Sequence, residues 1–216
     1  MKNSLICFCN AVMAGVFIGI AGTVYLATPN PLLGPFLFAF GLLTIICYRF
    51  KLFTGAVGYW ANQRNRDIVR YSGELAIIWL GNFAGCFAVG SLIRQSRSFA
   101  GFANRVDLVC QAKLADSPWS ILILAFFCGI LMYVAVETFR KTGLPEMARV
   151  LMVFLCVSVF ILSGFEHSIA GMYYFSAAAV WNWQSLGCIG IMTAGNALGG
   201  MLLPFADLLR GESPTK

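Results

Sequence analysis

The sequence predicts an all-α membrane protein of six transmembrane helices, built as two inverted sets of three, with the second and fifth helices broken in mid-span. Three observations predict this fold. Of 216 residues, 59% are hydrophobic and only 11% are charged, against about 25% charged in a soluble domain, and the mean hydropathy is +0.79. Six apolar stretches are long enough to cross a bilayer, which takes roughly 20 residues. The chain also nearly repeats itself at an offset of 113 to 114 residues: Gly15 recurs as Gly129, Thr54 with Gly58 recurs as His167 with Gly171, and Gly81-Asn82-Phe83-Ala84-Gly85 recurs as Gly195-Asn196-Ala197-Leu198-Gly199. Each half holds three segments, and an odd number forces the second copy to enter the membrane from the opposite face. Inverted repeats of this kind mark transporters and channels whose site lies near the midplane.

The segments fall at 4–26, 32–60, 75–93, 119–138, 150–175 and 183–205. The first follows Lys2 and resembles a leader peptide, but Gly15 takes part in the repeat, so the segment belongs to the fold. Residues 1–216 therefore form one transmembrane channel domain with halves at about 4–93 and 119–205. Basic residues orient it. With the N-terminus inside, Lys2, Arg64, Arg66, Arg70, Arg140, Lys141, Arg149, Arg210 and Lys216 are cytoplasmic, and Arg94, Arg97, Arg105 and Lys113 are outside. Nine against four predicts cytoplasmic N- and C-termini by the positive-inside rule. The net charge of +6 thus follows topology and does not signal nucleic acid.

Segments two and five are anomalous. Segment two is interrupted by Tyr48-Arg49-Phe50-Lys51 and then Thr54-Gly55, and segment five by Ser163-Gly164-Phe165-Glu166-His167-Ser168. Unwound backbone in hydrocarbon leaves N–H and C=O groups unpaired at several kcal/mol each, unless it lines a cavity or is covered by protein. Both breaks are therefore expected to face the middle of the protomer, and their new helix N-termini favour anions. Segments three and six carry the Gly-Asn-x-x-Gly runs. Small residues four apart let helices approach closely, so Asn82 and Asn196 are expected chiefly to join helix to helix, with a contact to the breaks as the alternative.

Eight scattered cysteines, without a Cys-x-x-Cys pair, read as small buried hydrophobes, with Cys110 on the outer side. No metal-ligand cluster, nucleophile elbow or phosphate loop is present, so neither an enzyme nor a cofactor is expected. The five tryptophans, with Tyr173 and Tyr174, lie mostly near segment ends and are expected to form an interfacial belt.

Leu52-Phe53-Thr54-Gly55 in one half and Gly164-Phe165-Glu166-His167-Ser168-Ile169-Ala170 in the other, with the paired Gly-Asn-x-x-Gly runs, resemble the formate/nitrite transporter family over essentially the whole chain. The resemblance implies a homopentamer of aquaporin-like protomers in a prokaryotic cytoplasmic membrane, each protomer with its own pore for small monovalent anions: formate, nitrite or hydrosulfide. It implies that His167 is the central pore histidine and Thr54 the threonine facing it, with Glu166 the acid preceding the histidine and Lys113 the vestibule lysine. Leu52 and Phe160 match the cytoplasmic-side hydrophobic constriction, and Phe38, Leu42 and Val136 the remaining apolar pore lining; among the 19 phenylalanines, Phe53 is the further one expected to line the pore. Lys51 stands where the family often has Asp or Glu, Arg49 replaces a small residue, and Tyr133 and Gly171 stand where Asn is usual.

His167 is the only histidine, and an ionisable group inside a membrane segment is a functional candidate by default. A dry anion passing an apolar ring meets a large desolvation cost, which a neutral acid avoids. The expected mechanism draws the anion in through Lys113 and the half-helix ends. His167 and Thr54 then bind it and help it gain a proton. Arg49 and Lys51 have two readings: they add positive potential near the pore, or they pair with Glu166, Glu137 or a neighbouring protomer, or snorkel to the interface. Pairing or snorkelling is the expectation, because unpaired central charges are costly. The alternatives are an aquaglyceroporin-like channel for neutral solutes, which lacks here its paired Asn-Pro-Ala signatures, and a transport-inactive relative with a structural or regulatory role.

Overall fold

The structure, a computed structural model, describes residues 2–63, 65–141 and 143–210. Arg64 and Lys216, and the side chains of Lys2 and Arg66, which entered the orientation argument, lie outside the described residues. Within them the chain forms nine α-helices: α1 (Lys2–Ala27), α2 (Leu33–Cys47), α3 (Phe53–Ala56), α4 (Asn65–Arg94), α5 (Ala103–Ala115), α6 (Pro118–Arg140), α7 (Glu146–Leu162), α8 (Ser168–Ala178) and α9 (Trp183–Leu209). A 3-10 stretch, Val57–Asn62, continues α3.

Among the described residues, four stretches of helix are long and apolar enough to cross a membrane: Asn3–Ala27, Asp67–Arg94, Pro118–Arg140 and Trp183–Leu209. They correspond to the first, third, fourth and sixth sequence segments. The second and fifth segments are divided, the second among α2, α3 and the 3-10 stretch, the fifth between α7 and α8. Helix α5 was not expected, because its stretch reads as a charged connection.

Packing follows the small residues. α1 lies along α4 and α6 along α9, the two most extensive pairings, while α2 packs on α7. A Cβ on Gly15 would run into the Asn82 carbonyl, and one on Gly129 into the Asn196 carbonyl, so both helix pairs approach backbone to backbone. The divided segments cross over: α8 packs on α4, and the 3-10 stretch packs on α9. Large apolar side chains such as Phe36, Leu80, Phe127 and Leu155 remain exposed on the outside of the bundle, as expected of a surface solvated by lipid.

The breaks begin identically. Arg49 N–H donates to Ile46 O at 3.1 Å and Phe50 N–H to Ile45 O at 2.9 Å; Gly164 N–H donates to Ile161 O at 3.1 Å and Phe165 N–H to Phe160 O at 2.9 Å. This is the Schellman ending, which takes a left-handed residue just past the helix. Gly164 supplies it at φ +68, and Arg49 adopts it at φ +57, at a cost of about 1–2 kcal/mol for a residue with a Cβ. Through the breaks, Arg49 therefore matches Gly164 and Leu52 matches His167. The expected pairing of Thr54 with His167 is out of register by two residues. It rested on one glycine after each, whereas the hydrogen bonds fix the true alignment.

Two further expectations fail. Tyr173 and Tyr174 are buried, not in an interfacial belt, because α8 sits inside the bundle, where Tyr173 Oη meets Thr23 Oγ1 at 2.7 Å. Trp79 likewise turns inward and donates to Thr193 Oγ1 at 3.1 Å, although Trp119 and Trp183 are exposed at the starts of α6 and α9.

Candidate functional site

The two breaks meet. Phe53 N–H donates to Asn82 Oδ1 at 2.9 Å, and Asn82 Nδ2 donates to Ala11 O and Lys51 O, each at 2.8 Å. In the other half Ser168 N–H donates to Asn196 Oδ1 at 2.9 Å, and Asn196 Nδ2 donates to Ala125 O and Glu166 O, each at 2.8 Å. Both asparagines are fully buried. They do not merely join helix to helix, as expected; each ties a long-helix pair to a break and satisfies backbone groups that unwinding exposes. The repeated Gly-Asn-x-x-Gly run was the signal for this role.

His167 caps α8. Its Nδ1 accepts the Ala170 N–H at 3.0 Å, so in the neutral ring the proton sits on Nε2. Nε2 lies 2.9 Å from Thr54 Oγ1, and the N–H donates to that hydroxyl. Leu52, at the matching position in the first half, has no capping side chain. Thr54 is fully buried and His167 almost so. The resemblance-derived pair is thus brought together across the two halves.

Apolar side chains close this pair off. Phe160 stacks on the His167 ring with centroids 5.7 Å apart, and Phe38 meets Phe160 edge-on at 6.0 Å. Leu42, Leu52 and Val136 line a separate cavity of about 860 Å³, together with Arg49, Lys51, Tyr59, Tyr71, Glu74 and Arg140. Through the breaks, Phe160 on α7 matches Ile45, and Leu52 matches His167. Phe53 has other neighbours. It lines a different, apolar cavity of about 590 Å³ with Val57, Leu75, Trp79 and Ala197, between α4 and α9. Consecutive residues entering a helix point about 100° apart, so Leu52, Phe53 and Thr54 meet different neighbours.

Charges pair locally. Lys113 Nζ lies 2.5 Å from Glu166 Oε2, with the side chains 13% and 9% exposed, and Lys113 also sits over the Tyr174 ring at 5.6 Å. Lys51 pairs with Glu74 at 3.3 Å; the expected partners, Glu166 and Glu137, are bonded instead to Lys113 and to the Tyr59 hydroxyl at 2.7 Å. Glu74 was missed because nothing in its sequence setting distinguishes it from other helix-surface acids. Among the described residues, no group of three or more His, Cys, Asp or Glu stands together as a metal site.

With this arrangement in place, comparison with known proteins is decisive. The family profile described as formate/nitrite transporter matches residues 2–206. The chain belongs to the formate/nitrite transporter family. Members of this family are similar over most of the chain. The nitrite transporter NirC of Escherichia coli (strain K12) is 28% identical over 92% of this chain and 81% of its own. The formate channel FocA of the same strain is 28% identical over 80% of this chain and 66% of its own. Among solved structures, a pentameric formate channel with formate bound superposes with a TM-score of 0.81 at 23% identity, covering 98% of this chain and 99% of that one. An FNT family ion channel superposes with a TM-score of 0.82 at 22% identity, covering 97% and 91%. As a formate/nitrite transporter family protein, the chain is an integral membrane transport protein and not an enzyme. The relatives lend no support to a neutral-solute channel.

Proposed function

We propose that this protein is a membrane channel for the small monovalent anions of weak acids, with formate, nitrite and hydrosulfide as the candidate substrates. The hydrogen bond between Thr54 and His167 carries this reading, because it joins the two breaks where apolar side chains leave few other polar partners. The architecture proposed is six spans in two inverted halves, with both termini cytoplasmic. Assembly is proposed as a homopentamer in a prokaryotic cytoplasmic membrane, by likeness to the pentameric relative.

The Lys113–Glu166 pair would stand at the outer approach, and the Arg49-lined cavity at the inner one. Between them the Phe38–Phe160 contact and the Leu42–Leu52–Val136 wall would exclude water, which favours passage of a neutral acid over a bare anion. His167 is suited to assist, because Nδ1 is engaged by the cap and its single mobile N–H is on Nε2. An arriving anion would take over the hydrogen bond that Nε2–H gives to Thr54. Proton linkage through this N–H, directly or through water, completes the reading.

The test is flux of formate and nitrite into liposomes carrying purified protein under an imposed pH gradient. Wild-type protein is expected to pass both, faster at the acidic side, and His167→Asn to lose the pH dependence. A His167→Asn protein with unchanged rate and pH profile would discard proton linkage, and wild-type liposomes impermeable to every anion at every gradient would favour the transport-inactive reading.

A further inference from the structure

We propose that the cavity lined by Arg49 is a second anion-binding subsite, which takes a planar oxyanion such as a carboxylate or nitrite on the cytoplasmic side of the Leu52 wall. The subsite deepens the transport reading and rests on it for its place in the path.

Three observations carry it. Arg49, Lys51 and Arg140 line one concave space of about 860 Å³ that ends on Leu42, Leu52 and Val136. The charges in it are not equivalent. Lys51 is paired with Glu74, and Arg140 lies over the Tyr59 ring at 4.8 Å, one turn from Glu137. Arg49 has no carboxylate partner among the described residues, and its guanidinium is left for a ligand. Lastly, Arg49 occupies a left-handed backbone position that its counterpart in the other half fills with Gly164. Strain held at a cavity wall points to a role for the side chain that the fold itself does not require. A guanidinium presents two parallel N–H groups that match the two coplanar oxygens of a carboxylate. The side chain is solvent-exposed, so an anion reaches it hydrated and then moves toward the apolar wall. The subsite would thereby concentrate substrate at the inner mouth.

Arg49→Gly removes the guanidinium and relieves the left-handed strain, so the fold is retained. Arg49→Lys keeps the charge and loses the fork. Arg97→Gln makes the same net-charge change in the opposite connection. Two measurements are made. The first is line broadening of carbon-13 formate by the purified protein in detergent. The second is the formate concentration for half-maximal uptake into inside-out and right-side-out membrane vesicles. Arg49→Gly is expected to reduce the broadening and to raise the half-saturating concentration about 3- to 10-fold in inside-out vesicles, as loss of an exposed charge-assisted contact implies. Arg49→Lys is expected to fall between, and Arg97→Gln to match wild type. Reduced broadening in Arg49→Gly, with wild-type vesicles that pass no formate, leaves the subsite standing and removes the transport reading. Broadening unchanged in Arg49→Gly overturns the subsite whatever the flux, as does an equal rise in half-saturation from both sides.

Discussion

Asn82 and Asn196 make the same three hydrogen bonds in the two halves of the chain, each accepting a break N–H at 2.9 Å and donating to a helix carbonyl and a break carbonyl at 2.8 Å. Replacing either by leucine removes those bonds and strands buried backbone groups, each worth about 1–3 kcal/mol. Asn82→Leu and Asn196→Leu are expected to lower the thermal unfolding midpoint in detergent by similar amounts. A neutral result for either, or a large inequality between them, contradicts the matched roles.

The close helix approaches predict a sharp contrast among glycines. Gly15→Ala and Gly129→Ala drive a methyl into the Asn82 and Asn196 carbonyls, whereas a Cβ on Gly73 meets nothing within 4 Å. The first two variants are expected to lose folded protein. Gly73→Ala is expected to gain about 0.5–1 kcal/mol from reduced backbone entropy in the unfolded chain. Yields and melting midpoints of the three purified variants decide it.

Lys113→Met leaves the Glu166 carboxylate buried with its cation gone. Breaking a buried pair in this way costs roughly 3–5 kcal/mol. The double variant Lys113→Met/Glu166→Gln removes the stranded charge and is expected to recover most of the loss. Equal stability of single and double variants would mean that the pair, at 2.5 Å, is not what holds α5 to the break.

Cys110 is buried on α5, outside the long apolar helices, and burial pushes its thiol up to about 12. The thiolate is the reactive form, so its fraction stays minute through pH 9. A water-soluble maleimide is expected to leave Cys110 unmodified between pH 7 and 9 in folded protein and to modify it after denaturation, as read by peptide mass spectrometry. Labelling of the folded protein at the rate of an exposed thiol would place Cys110 at the surface.

Much of the fold is legible without coordinates, because each legible feature is local. Apolar length defines the four long helices, and the polar interruptions at Arg49–Lys51 and Ser163–Ser168 mark where α2 and α7 stop. His167 stands out as the only histidine, set in an apolar segment, and Thr54 through the resemblance of Leu52-Phe53-Thr54-Gly55 to the family. The repeat was visible too, although its register through the breaks was not: a glycine four residues after each candidate suggested one alignment, and the backbone hydrogen bonds impose another.

Tertiary structure alone decided which side chains share a space. Leu52, Phe53 and Thr54 are neighbours in the chain yet enter three environments, since a helical start turns each by about 100°. Lys51 found Glu74, and Lys113 found Glu166, because ion pairing depends on which helices pack together and not on spacing within one. Composition and periodicity determine that this chain lives in a bilayer as helices; only the folded contacts determine that Arg49 lines a cavity with no carboxylate partner among the described residues.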